Sequence, residues 1–232
     1  MHEFKPISVL AISLLILLLS CNNNTDSHPE DGPQSDYFDY HIWGDEESGN
    51  ITVKLQFRFA GPNGMTKLLE LPSKVELDGI PLEVDSSRWN GYYYEITHPV
   101  SGFAGRHKIT YTDARRKQYV EEFDFHPLSF TTELPHVIQR GDIKVELNGL
   151  GDGDIIRVLL TDTASFSEGI VRTDTVTGGQ IQITRSELTQ VTNGPVSFEI
   201  WREEERRVKS GTRRGGRISI VYGLRTEFEL KD

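Results

Sequence analysis

The chain has 232 residues, 36% of them apolar, a formal net charge of −10 at pH 7 and a single cysteine. It holds enough Phe, Tyr, Ile, Val and Leu to build cores, so it is globular rather than disordered, and its length fits two modest domains. The acidic balance argues against nucleic-acid binding, and one cysteine excludes intramolecular disulfides, redox pairs and thiolate zinc sites.

An apolar run from Ile7 to Leu19 ends in Leu18-Leu19-Ser20-Cys21 and is followed at once by Asn22-Asn23-Asn24. The run is shorter than the roughly 20 residues a helix needs to span a bilayer, and only Lys5 is basic before it, a pattern that predicts an export signal over residues 1–20. The tetrad resembles the lipobox of bacterial lipoproteins. That resemblance implies cleavage before Cys21, acyl chains on Cys21, and a lipid anchor in the bacterial cell envelope, at the outer membrane. The alternative is a small apolar residue closing an ordinary secretory signal.

Cys21 and residues 22–36 then form a flexible tether, because the segment holds no strong apolar side chain and carries a charge of −4. As a coil it would extend roughly 20 Å, and about 50 Å if pulled straight. Asp26, Glu30 and Asp31 are similar to the acidic stretch that directs lipoproteins of the Bacteroidota to the cell surface, although they lie further from the cysteine.

Within residues 37–130, Ile51, Val53, Leu55, Phe57 and Phe59 alternate with polar residues, and this period of two puts five apolar side chains on one face of a strand. Asp78-Gly79 between Lys74–Leu77 and Ile80–Val84 predicts a type I′ hairpin with Val75, Leu77, Ile80 and Leu82 on a shared face. Pro81, which cannot donate to a ladder, belongs at an edge or bulge. A second hairpin is expected from Lys108–Thr112 and Gln118–Phe125, with a bulge near Glu121 and Glu122 because Glu121 interrupts the apolar phase. Pro127 and Pro135 bracket a boundary near Phe130.

Residues 131–232 repeat the design. Ile143-Val145-Leu147, Ile156-Val158-Leu160, Ile181-Ile183, Val196-Phe198-Ile200, Ile218-Ile220-Tyr222 and Phe228-Leu230 are each spaced by two, and Ser186 to Val191 is the one place for a helical turn. The fold class is therefore all-β. Short, evenly spaced strands resemble two tandem antiparallel β-sandwiches of immunoglobulin-like or fibronectin-III-like type, over residues 37–130 and 131–232, although the Cys and Trp signature of true immunoglobulin domains is missing.

Three groups of residues are candidate sites. Trp89, Tyr92, Tyr93 and Tyr94 could stack on sugar rings, or could be strand aromatics packed in a core. Trp201 to Arg217 carries seven basic residues, among them Arg206, Arg207, Arg213 and Arg214, against three acids. It reads as an anion-binding hairpin or as a solvated edge whose charges prevent aggregation. Asp152 and Asp154 stand two apart in a glycine-rich loop and could offer oxygens to Ca²⁺, or simply make a turn. The histidines, including His107, read as scattered surface or edge residues.

No nucleophile elbow, phosphate loop or metal-spaced histidine set occurs in the sequence, and neither catalytic residues nor a cofactor are expected. The expectation is a non-catalytic, lipid-anchored binding or spacer module with a membrane and a glycan or envelope-protein partner. A structural component of an envelope complex, and a hydrolase whose site is assembled only in three dimensions, are the alternatives.

Overall fold

Alternation of apolar and polar residues with a period of two runs through most of the chain, and a computed structural model turns nearly all of it into strands. It describes residues 36–164, 167 and 169–232; the signal, Cys21 and tether residues 22–35 lie outside the described residues. The first half forms β1 (Asp36–Asp45), β2 (Asn50–Phe59), β3 (Lys74–Leu77), β4 (Ile80–Pro81), β5 (Val84–Ser87), β6 (Gly91–Pro99), β7 (Gly105–Thr112), β8 (Gln118–Phe125) and β9 (Ser129–Phe130). The second forms β10 (Val137–Gln139), β11 (Ile143–Asn148), β12 (Ile155–Asp162), β13 (Ile170–Thr175), β14 (Gln180–Ile183), a helical turn α1 (Arg185–Leu188), β15 (Gly194–Thr212) and β16 (Gly215–Lys231). The fold is all-β, as expected.

One long sheet has the order β13-β12-β15-β16-β1-β2-β6-β5, with β10 also paired to β16. At one end it is covered by β4-β3-β7-β8 and at the other by β14-β11-β9, giving two sandwiches on a shared sheet. Phe38 and Phe57 meet Tyr111 across the first sandwich, with ring centroids 5.3 and 4.6 Å apart, and Phe130 meets Phe198 across the second at 6.4 Å. The described residues form one compact unit with its own hydrophobic core.

The hairpin of β15 and β16 passes through both sandwiches. Val196 to Arg202 pairs with β12 in the second, whereas Gly216 to Gly223 pairs in parallel with Phe38 to Asp45 of β1 in the first. At about 3.3 Å per residue, β15 is roughly 60 Å long. The division expected near Phe130 runs through this geometry in a particular way. β9, which ends at Phe130, pairs with β11 of the second sandwich, while residues 203–223 reach back into the first.

Several local expectations are met. Ile51, Val53, Leu55 and Phe57 are fully buried on one face of β2. Asp78 and Gly79 both have positive φ, as a type I′ turn requires, and β4 with Pro81 is an edge strand. α1 starts on a capping box in which Thr184 and Glu187 satisfy each other's backbone N–H.

Others are corrected. Asp36, assigned to the tether, is the first residue of β1 and is fully buried, bonded by Lys67 and Tyr111. Glu121 causes no bulge, because the β7–β8 register is unbroken from Gly105↔Phe125 to Thr112↔Gln118. It points inward in phase with Tyr119 and Phe123, and Arg206 Nη1 neutralises it at 2.5 Å. The register shift lies instead in β15, between Arg207 and Thr212. There the strand turns toward β8, where Lys209 N donates to Glu121 Oε2 and Val120 N to Ser210 Oγ. Ile80 leaves the shared face, with 53% of its surface exposed, because after Pro81 and Leu82 the chain crosses to the other sheet as β5. His107 is buried rather than scattered on the surface: it stacks on Phe103 and bonds to Asp78 and the Phe103 carbonyl.

Candidate binding surface

The strand directions bring four connections to one end of the first sandwich. β1 starts there at Asp36, opposite Phe59 at the end of β2, and antiparallel pairing of β2, β6 and β5 puts Gly91 and Ser87 at the same end. Tyr111 Oη reaches Asp36 Oδ2 at 3.1 Å and Thr212 Oγ1 donates to the Asp36 carbonyl, which add the β7–β8 turn and the β15–β16 tip. The segments 60–73, 88–90, 113–117 and 213–214 therefore surround the residue at which the described chain begins.

Hydrogen bonds hold three of these segments in place. Tyr92 N donates to Thr66 Oγ1 at 2.8 Å, Leu69 N to Tyr94 Oη at 2.7 Å, and Gln56 Nε2 to the Asn90 carbonyl at 2.8 Å. Gly91 has φ +65°, and a Cβ there would lie 2.0 Å from Thr66 Oγ1, so the turn can approach the loop only without a side chain. The Asp113 carboxylate accepts from Arg115 N and Lys117 N at 2.8 and 2.9 Å, holding a turn in which Arg116 is left-handed.

Behind the loops, a charged network crosses the outer face of the sheet. Asp39 accepts from His41 Nε2 at 2.9 Å, Arg58 Nε at 2.9 Å and Arg217 Nε at 2.7 Å. Burial alone would raise its pKa, but the hydrogen bonds from His41, Arg217 and Arg58 outweigh burial and hold the carboxyl well below the ordinary carboxylate range. Arg58 continues the chain, donating to Gln56 Oε1 at 2.8 Å and to the Gly64 carbonyl at 3.3 Å. Asp36 goes the other way: burial pushes its pKa up, against Lys67 and Tyr111, which stabilise its charged form.

What these segments offer to solvent is mostly apolar and basic, with Glu70 beside Leu71 as their one exposed acid. Leu71 is 94% exposed, Trp89 90% and Met65 80%. Arg115, Arg116, Lys117, Arg213 and Arg214 are all exposed, Arg88 lies over the Trp89 ring and Lys117 over Tyr119.

The four aromatic candidates divide accordingly. Trp89 sits in the open turn, not in a core, and Tyr92 beside it is partly exposed. Tyr94 is buried against Phe57, whereas Tyr93, on the opposite face, is covered by Lys54 and bonded to Asp85. Of the basic candidates, Arg206 is consumed by Glu121, Arg207 is exposed along β15, and Arg213 and Arg214 are at the tip. Asp152 and Asp154 are turn caps, accepting from Gly178 N at 2.7 Å and Gly151 N at 3.0 Å. No group of three His, Cys, Asp or Glu side chains fit to hold a metal occurs among the described residues. Sequence reasoning missed Leu71, Met65 and the Arg115-Arg116-Lys117 run, although three consecutive cations in a hairpin turn were a readable signal.

No protein-family model and no curated protein sequence matches the chain. Among solved structures it is similar to the two immunoglobulin domains of DIP-gamma, at 11% identity and TM-score 0.23 over 84% of this chain and 98% of that one. It is also similar to the Yersinia pseudotuberculosis adhesin InvE, at 11% and 0.24 over 82% and 61%. A third neighbour is the Bacteroides ovatus mixed-linkage glucan utilization protein SGBP-B, solved with a mixed-linkage heptasaccharide, at 10% and 0.18 over 85% and 62%. These likenesses are too distant for any property of the neighbours to pass to this chain.

Proposed function

We propose that this is a non-catalytic, lipid-anchored protein of the bacterial cell envelope, held at the outer membrane through Cys21, in which two β-sandwich modules act as one binding and spacer unit. The export signal and the Leu-Leu-Ser-Cys tetrad support the anchor. The single observation that carries the spacer role is the β15–β16 hairpin, whose strands are shared by both sandwiches. A linker would let two modules swing, whereas a strand pair common to both holds their ends roughly 60 Å apart. Arg202 strengthens the junction by donating to the Gly149 carbonyl at 2.6 Å and to the His126 carbonyl.

The anchor is tested by palmitate labelling and membrane fractionation of the wild type beside Cys21→Ala. Label in the wild type alone, with the variant lost from the membrane fraction, is the expected result. An unlabelled wild-type protein overturns the anchor.

A further inference from the structure

We infer that the loop end of the first sandwich docks on an anionic lipid bilayer, with Trp89, Leu71 and Met65 entering the interfacial layer and Arg115, Arg116, Lys117 and Arg213 facing lipid phosphates. The inference rests on the anchored reading for its orientation but not for its chemistry.

Three observations converge on it. The first is composition. Large apolar side chains left 80 to 94% exposed beside a ring of cations suit a surface that is apolar beneath and negatively charged above, and an indole is at home at that boundary. The second is charge contrast. The chain as a whole is −10, yet the turns at this end display Arg88, Arg115, Arg116, Lys117, Arg213 and Arg214. Asp36 and Asp113 are buried in hydrogen bonds, which leaves Glu70 as the exposed acid within these segments. The third is position. Asp36 opens β1 at this same end, so on the anchored reading an acylated Cys21 lies only fifteen positions before this face, a separation that chain length caps at about 50 Å. Because the 66–69 loop and the 88–90 turn are fastened to β6 and β2, and the 113–117 turn is held by Asp113, little ordering of these segments is required on docking.

The test uses the unacylated chain from Asn22, sedimented with vesicles of phosphatidylcholine alone or with one third phosphatidylglycerol. Binding to the anionic vesicles is expected to exceed binding to neutral ones by about tenfold and to weaken with salt. Replacing Arg115, Arg116 and Lys117 by Gln should remove most of that preference, and Arg213→Gln should reduce it further. Replacing Lys144, Arg157 and Lys231 by Gln, in the second sandwich, should leave it intact. Brominated lipid should quench tryptophan fluorescence in the wild type and much less in Trp89→Phe. Equal binding to both vesicles, or no effect of the turn substitutions, overturns the inference. So does binding to a soluble anionic polysaccharide without binding to vesicles, which would make the face a glycan site. Failure here with Cys21 labelled sinks the docking face alone, and vesicle binding with Cys21 unlabelled sinks the anchor alone.

Discussion

The first sandwich packs rings, Phe38, Tyr40, Phe57, Tyr111, Tyr119 and Phe125, where the second packs Ile156, Val158, Leu160, Ile181, Ile183 and Val196. The halves differ as much in what else they bury. Asp36, Asp39, Gln56, His107, Thr110, Thr112, Asp113 and Glu121 are the buried polar residues among those described, and all lie in the first half. Aliphatic packing is non-directional and fixes shape, whereas ring edges and buried hydrogen bonds are directional and fix the orientation of whatever is attached to them. The first half thus fixes the orientation of its loops, whereas the second is held together by shape.

The largest expected effect breaks that contrast at Glu121. Arg206→Ala strands a carboxylate that is 1% exposed and should destabilise the protein by about 3 to 5 kcal/mol in urea, whereas its exposed neighbour Arg207→Ala should stay within about 0.5 kcal/mol. Similar small losses from both would show that polar burial does not hold the first half together. Leu160→Ala opens a cavity in the aliphatic core of the second half and should cost about 2 to 5 kcal/mol. Because the hairpin is common to both halves, calorimetry should show one transition at a lower temperature; two separated peaks would sever the coupling.

The smallest effect is a dependence on pH. The folded pKa of Asp39 lies below its unfolded value of about 3.9, so its contribution is complete above that value and is lost as pH falls through the folded pKa. Asp36, raised by burial, has the opposite sign: its charged form is disfavoured near neutrality, and the penalty is relieved on acidification. Asp39→Asn should lower the melting temperature at pH 7 and flatten its decline below about pH 4. An acid limb as steep as in the wild type would remove Asp39 from the account.

Strands whose partners lie nearby were legible in the sequence, as Ile51 to Phe57 and Ile143 to Leu147 show. β1 was not, although Phe38, Tyr40 and Ile42 alternate, because Asp36 and Asp39 look like solvated residues until Lys67, Arg58 and Arg217 are brought to them. Glu121 misled for the same reason, its partner Arg206 lying 85 residues away. Trp89 and the basic hairpin could be named from composition. That Trp89, Leu71, the 115–117 turn and the 213–214 tip share one end depends on strand directions, which no local pattern contains.

The parallel pairing of β1 with β16 also dictates when the molecule can finish folding. Asp39 and Arg217 are 178 residues apart, and the sheet containing β1 lacks a neighbour on one side until the last hairpin arrives. Contacts of such long sequence separation form late. Until β16 docks, β1 therefore keeps one edge unpaired, a row of free backbone donors and acceptors open to another strand.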